Sequence, residues 1–144
     1  MPERSDARSV RLCSGVRVKK EALEIRNRMI LTLKPAEYRR VMSSAQHVNL
    51  VSGDVLFEAG ARISELYFLN TGMASLLSTT SEGNTIEVGM VGHEGLVGAA
   101  LLLNNPQMPY RSMMQMRSTR STKLEAWSSR ASLATRRGIR ASLW

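Results

Sequence analysis

The sequence predicts a mainly β domain, a β-roll with one helical hairpin in front of it. Three observations carry this. The hydrophobic period changes from helical spacing to two after His47. Short segments rich in β-branched and aromatic residues then follow one another, each closed by a glycine-containing turn. Regularly spaced short strands of this kind mark a sandwich or barrel rather than an alternating α/β fold. The length, 144 residues, suits one such domain, with room for a single buried core.

Residues 1–20 mix charge, Ser and Gly without a sustained period and read as a mobile basic tail. Residues 21–46 are read as helical. Leu23, Arg26 and Ile30 fall at helix spacing, and Asn27 to Leu33 forms a short helix. Lys34-Pro35 ends it, because a residue before proline avoids the helical region. Pro35 then suits the first turn of a second helix, through Ala36 to about Ala45, with Tyr38, Val41 and Met42 on one face.

The β-roll is assigned to residues 47–126. Val48–Val51 and Val55–Glu58 are short strands around the turn Ser52-Gly53-Asp54. Glu65–Leu69 is a third strand and Met73–Thr80 a fourth. The loop Ser81–Asn84 turns the chain into a fifth, Thr85–Val91. After a glycine series, Ala99–Leu103 makes a helical turn or two, broken by Asn104-Asn105-Pro106. Met113–Met116 is a further strand, and Thr122–Ala126 a poor last one. Residues 127–144 form a basic Ser/Arg-rich tail. The abrupt change of composition after Met116 leads us to expect a tail out of register with the ancestral reading frame, or a premature end.

Charge is unevenly spread. Residues 1–40 carry eleven Lys and Arg against five acids, residues 41–110 one Arg against six acids, and residues 111–144 eight bases against one acid. A mildly acidic body thus has two basic ends. Basic ends attract nucleic acid or anionic membrane, so nonspecific nucleic-acid binding through them stands as the alternative function. Few aromatics argue against single-strand stacking. The longest apolar-looking run, Ile86 to Leu103, holds four glycines, Glu87, His93 and Glu94, which excludes a spanning helix. The N-terminus lacks the apolar stretch of a secretory signal. The single cysteine, Cys13, allows no disulfide framework and suits a cytoplasmic location. With only His47 and His93, and no recognisable nucleophile motif, neither a metal-dependent enzyme on a similar roll nor Ser-His-Asp catalysis is expected, and no metal ligands are assigned.

The run GMVGHEGLVG, residues 89–98, has glycine at every third position. It lacks the context of a collagen repeat, a membrane dimer motif or a dinucleotide fingerprint. Two readings remain. In one, the glycines turn a corner. In the other, a strand ends in a tight turn that delivers a short helix, whose first amides, around Ala99 to Leu101, hold an anion. Arg111-Ser112, thirteen residues beyond Gly98, then supplies a guanidinium and a hydroxyl to the same anion.

The stretch from Ser52 to Leu103, SGDVLFEAGARISELYFLNTGMASLLSTTSEGNTIEVGMVGHEGLVGAALLL, resembles the cyclic nucleotide-binding domain of Crp/Fnr transcription regulators. Gly53, Gly60, Tyr67-Phe68, Gly72 and Glu82-Gly83 stand where that pattern places its turn glycines, paired aromatics and hairpin, and the match spans about residues 27–116. The resemblance implies a jelly-roll (double-stranded β-helix) sensor domain, not an enzyme. It implies a phosphate-binding cassette with Gly98 at its glycine, the amides of Ala99 and Ala100 beside it, and Arg111 and Ser112 at the pair that meets the cyclic phosphate. The family's cassette glutamate is replaced by Ala99, which accepts no bond from a ribose hydroxyl. Glu94 lies before the cassette and His93 is read as a turn residue, so neither is assigned a role. The implied effector is a cyclic nucleotide or another small anion. The other implied partners are a second copy of the chain as homodimer and DNA, the latter through a helix-turn-helix domain that does not follow the roll here, or weakly through the basic ends. No membrane partner is implied.

Overall fold

The computed structural model describes residues 24–125. The two tails and Cys13 lie outside the described residues. The chain forms α1 (Arg28–Leu31), α2 (Pro35–Ser43), β1 (Ala45–Leu50), β2 (Val55–Phe57), β3 (Glu65–Phe68), β4 (Met73–Thr79), β5 (Thr85–Val91), a 3₁₀ helix (Ala99–Leu103), β6 (Arg111–Met116) and β7 (Ser118–Glu125). It is mainly β: two antiparallel sheets, one ordered β1-β7-β3 and the other β2-β6-β4-β5. Phe57 of one sheet meets Tyr67 of the other edge to face, with ring centroids 5.9 Å apart. Around them Ile63, Phe68, Leu69, Val97, Leu102 and Met114 are fully buried, and Ile30 and Val41 of the two helices complete the same core.

The helices are shorter than their sequence pattern suggests. Asn27 is not part of α1 but its N-cap, accepting hydrogen bonds from the Met29 and Ile30 amides at 3.2 and 3.3 Å. Asn27 is also fully buried, and its amide donates to the carbonyls of Leu69 at 3.0 Å and Gly95 at 2.8 Å. One polar side chain thus ties the helical hairpin to the end of β3 and to the glycine series. Pro35 opens α2, and the Lys34 amide donates to the Glu37 carboxylate at 3.4 Å.

The last strand departs most from expectation. β7 (Ser118–Glu125) starts four residues before the expected Thr122, and it pairs with β1 on one side and β3 on the other; Ala126 lies outside the described residues. Ser118, Ser121, Thr122 and Leu124 are buried within it. Hydroxyl side chains this small fill a sheet interior without large apolar groups, and the Ser118 and Ser121 hydroxyls bond to each other at 2.5 Å. Regular β structure therefore passes straight through the compositional change after Met116. β1 begins at Ala45, three residues before the predicted strand, because its partner β7 extends that far.

Candidate functional site

The site predicted from sequence falls on two pieces of structure: the 3₁₀ helix with Gly98 before it, and the start of β6. Gly98 is buried and its φ is +99°, in the left-handed region. A Cβ there would lie 2.9 Å from the Leu66 side chain and 3.0 Å from the Glu65 carbonyl oxygen. Close approach to β3 and positive φ both call for glycine at this position. Of the four glycines in the series, only Gly98 has a positive φ. The regular spacing of three thus has no single cause. Gly89 lies opposite Leu76 in the β4–β5 ladder, and Gly92 sits against the Glu94 carboxylate.

Two backbone clamps hold the 3₁₀ helix. Before it, Val97 and Tyr67 exchange hydrogen bonds of 2.9 and 3.0 Å. After it, the Gly60 and Ile63 amides donate to Met108 and Pro106, and Met108 donates back to Ala61, all within 2.7–2.8 Å. The helix itself is apolar: Leu101 and Leu102 are buried, while Ala99 is exposed. Asn104, in the left-handed conformation that Asn tolerates, ends it.

Arg111 and Ser112 open β6, where Ser112 lies opposite Phe57 on one side and Leu76 on the other. Strand alternation gives the two residues different surroundings. Arg111 is exposed, and its Nε lies 3.3 Å from Oε2 of Glu58, just beyond β2. Ser112 is fully buried, and its hydroxyl has no hydrogen-bond partner. A buried hydroxyl left unpaired costs about 1–3 kcal/mol. One other hydroxyl among the described residues shares this state, that of Thr122 in the opposite sheet. Gly98, Ala99 and Ala100 thus belong to the 3₁₀ helix and the turn before it, and Arg111 and Ser112 to the start of β6. The segment between them is pinned to residues 60–63. Arg111 is ion-paired to Glu58 rather than to the 3₁₀ helix.

A cavity of about 260 Å³ opens beside the 3₁₀ helix, lined by Met29 of α1, Met90 and Val91 of β5, Glu94, Gly95, Leu96, Ala99 and Leu102. Ala99 is the one predicted site residue that faces it. Glu94, which sequence reasoning passed over, is its charged group. Its carboxylate accepts the Gly92 amide at 2.8 Å, and this bond, then one from its own amide, hold its pKa below the usual carboxylate value; burial opposes them, and His93 and Arg28 add to them. The hint in the sequence was Gly92 two residues before Glu94, where no side chain stands between the amide and the carboxylate.

A second polar group sits on β3 and β7. The Glu65 carboxylate receives the Tyr67 hydroxyl and the Lys123 ammonium, both at 2.5 Å. Burial alone would raise the Glu65 pKa, but the bonds from Lys123 and Tyr67 and the Lys123 charge bring it below its ordinary value. Burial, the bond to Glu65 and the Glu65 charge push the Tyr67 hydroxyl up. This group pins the strand that Gly98 packs against. Among the described residues, no three His, Cys, Asp or Glu side chains come together as a metal site, and no helix is long and apolar enough to cross a membrane.

A family model for the cyclic nucleotide-binding domain matches residues 47–120. A search of curated proteins finds no match. Similar solved structures include the N-terminal domain of a transcriptional regulator from Streptomyces coelicolor A3(2), with TM-score 0.64 and 21% identity over 83% of each chain. The catabolite activator protein of Thermus thermophilus has TM-score 0.63 and 20% identity over 80% of this chain and 54% of that one. The regulatory subunit of a cAMP-independent protein kinase A from Trypanosoma cruzi, bound to guanosine, has TM-score 0.67 and 14% identity over 81% of this chain and 40% of that one. At these identities the likeness is one of fold.

Proposed function

Since the chain belongs to the cyclic nucleotide-binding domain family, we propose that it is the effector-sensing domain of a Crp/Fnr-like transcription regulator, and that its effector is a small phosphate-bearing anion such as a cyclic nucleotide. The observation that carries this reading is at the start of β6, where the exposed Arg111 guanidinium is followed by Ser112, whose buried hydroxyl has no partner. A phosphate oxygen would satisfy the hydroxyl, and the guanidinium fork suits an oxyanion. Gly98 and the amides of Ala99 and Ala100 are the proposed second contact, since the first amides of a helix have no acceptor within it.

The residues fit the phosphate half of a cyclic nucleotide and not the ribose half. Ala99 offers no acceptor to a sugar hydroxyl, so the phosphate supplies most of the recognition. A ligand bridging Arg111 and the 3₁₀ helix would press on an element clamped to β3. Asn27, bonded to the Gly95 carbonyl, and the Arg28 amide, bonded to the His93 carbonyl at 2.8 Å, would pass that displacement to α1. The test is isothermal titration of the protein with cyclic AMP. Arg111→Ala is expected to weaken binding about tenfold or more, the scale of a lost charge-assisted hydrogen bond. Unchanged binding in this variant would remove Arg111 from the site and the reading with it.

A further inference from the structure

Arg111 does not meet an incoming ligand as a bare cation. Glu58 stands 3.3 Å from its Nε, and both side chains are well exposed, at 64% for Glu58 and 44% for Arg111. An isolated guanidinium attracts anions in proportion to their charge, so it favours a doubly charged phosphate monoester over a singly charged phosphodiester. A carboxylate this close turns the local field from that of a charge into that of a dipole, which fades faster with distance. The hydrogen-bonding geometry is spared. Guanidinium carries five N–H donors, and Glu58 engages the Nε edge, which leaves the outer Nη donors for a ligand.

We propose that Glu58 is a specificity-determining residue, a charge filter. It cancels the excess attraction of Arg111 for multiply charged phosphates while leaving the donors that a singly charged phosphodiester needs. This rests on the reading of Arg111 as a phosphate ligand. It explains why an anion site would keep a carboxylate beside its one arginine: without it, the phosphomonoesters would compete with a cyclic phosphodiester through charge alone.

The experiment compares wild type, Glu58→Gln, Glu58→Asp and Arg111→Ala by titration with cyclic AMP, a monoanion, and with 5′-AMP, which carries about −1.5 to −2 at neutral pH. Glu58→Gln is expected to strengthen cyclic AMP binding about two- to fivefold, the range set by exposed ion pairs. For AMP the gain should approach the square of that factor, because the removed repulsion scales with ligand charge. The difference between the two ligands should shrink as salt rises from about 50 to 300 mM. Glu58→Asp, which keeps the charge, should retain most of the wild-type preference. Circular dichroism of each variant checks the fold. Equal gains for the two ligands, or none, while Arg111→Ala still weakens cyclic AMP, would overturn the filter alone. If Arg111→Ala changes neither ligand, or neither ligand binds wild type or Glu58→Gln, the reading of Arg111 fails and the filter falls with it.

Discussion

Gly98→Ala separates the two reasons for glycine at the head of the 3₁₀ helix. The first is conformational: φ is +99°. An L side chain in the left-handed region costs about 1–2 kcal/mol. The second is steric. The new methyl would stand 2.9 Å from Leu66 Cδ2, 3.0 Å from the Glu65 carbonyl oxygen and 3.3 Å from Ile63 Cγ2. The tip of Leu66 can turn a little, but the Glu65 carbonyl is backbone at the start of β3, where Glu65 pairs with Glu125 and cannot retreat freely. Overpacking of this sort costs about 1–3 kcal/mol. The two costs together come to about 2–5 kcal/mol. Gly53 provides the control. Its φ is +94°, and a Cβ there would meet nothing within 4 Å, so Gly53→Ala should lose only the conformational part. Urea unfolding of both variants, with unchanged m-values, gives the two losses directly. Gly98→Ala is expected to lose about 1–3 kcal/mol more than Gly53→Ala. Equal losses would mean that the 3₁₀ helix does not pack on β3 as closely as the structure has it.

Asn27→Ala should cost about 2–4 kcal/mol, since it removes the α1 cap and leaves the carbonyls of Leu69 and Gly95 each short of a donor; thermal unfolding measures it, and a loss below about half a kcal/mol would contradict the burial of this side chain. The depressed Glu65 pKa means that the unfolded chain binds more protons than the folded one in mild acid, so its contribution to stability is present above 4.5, the unfolded value, and fades as pH falls through the lower folded value. Urea midpoints from pH 7 to pH 3 should therefore fall less steeply for Glu65→Gln than for wild type, and parallel slopes would sink the assignment. Lys123→Met should remove part of the same dependence, because the Lys123 ammonium is one of its causes.

What the sequence makes legible follows from which physical signals are local. Met73–Thr79 and Thr85–Val91 alternate around a glycine hairpin, and Ala99–Leu103 is an apolar run closed by Asn104-Asn105-Pro106; each was readable within a short window of sequence. β7 was not, for two local reasons. Three of its four buried positions are Ser118, Ser121 and Thr122, which look like loop composition. Its period is also disturbed at Arg120, a non-glycine residue with φ of +53°. Asn27 looked like one more helix residue because its partners, Leu69 and Gly95, lie far along the chain. The site shows the same division. Gly98 and Arg111-Ser112 could be singled out by type and spacing, but Glu58, the carboxylate paired with Arg111, lies far earlier in the chain. Only the pairing of β2 with β6, Phe57 opposite Ser112, brings the two together. A motif therefore names residue types and their order, while the sheet register sets which charges stand beside them.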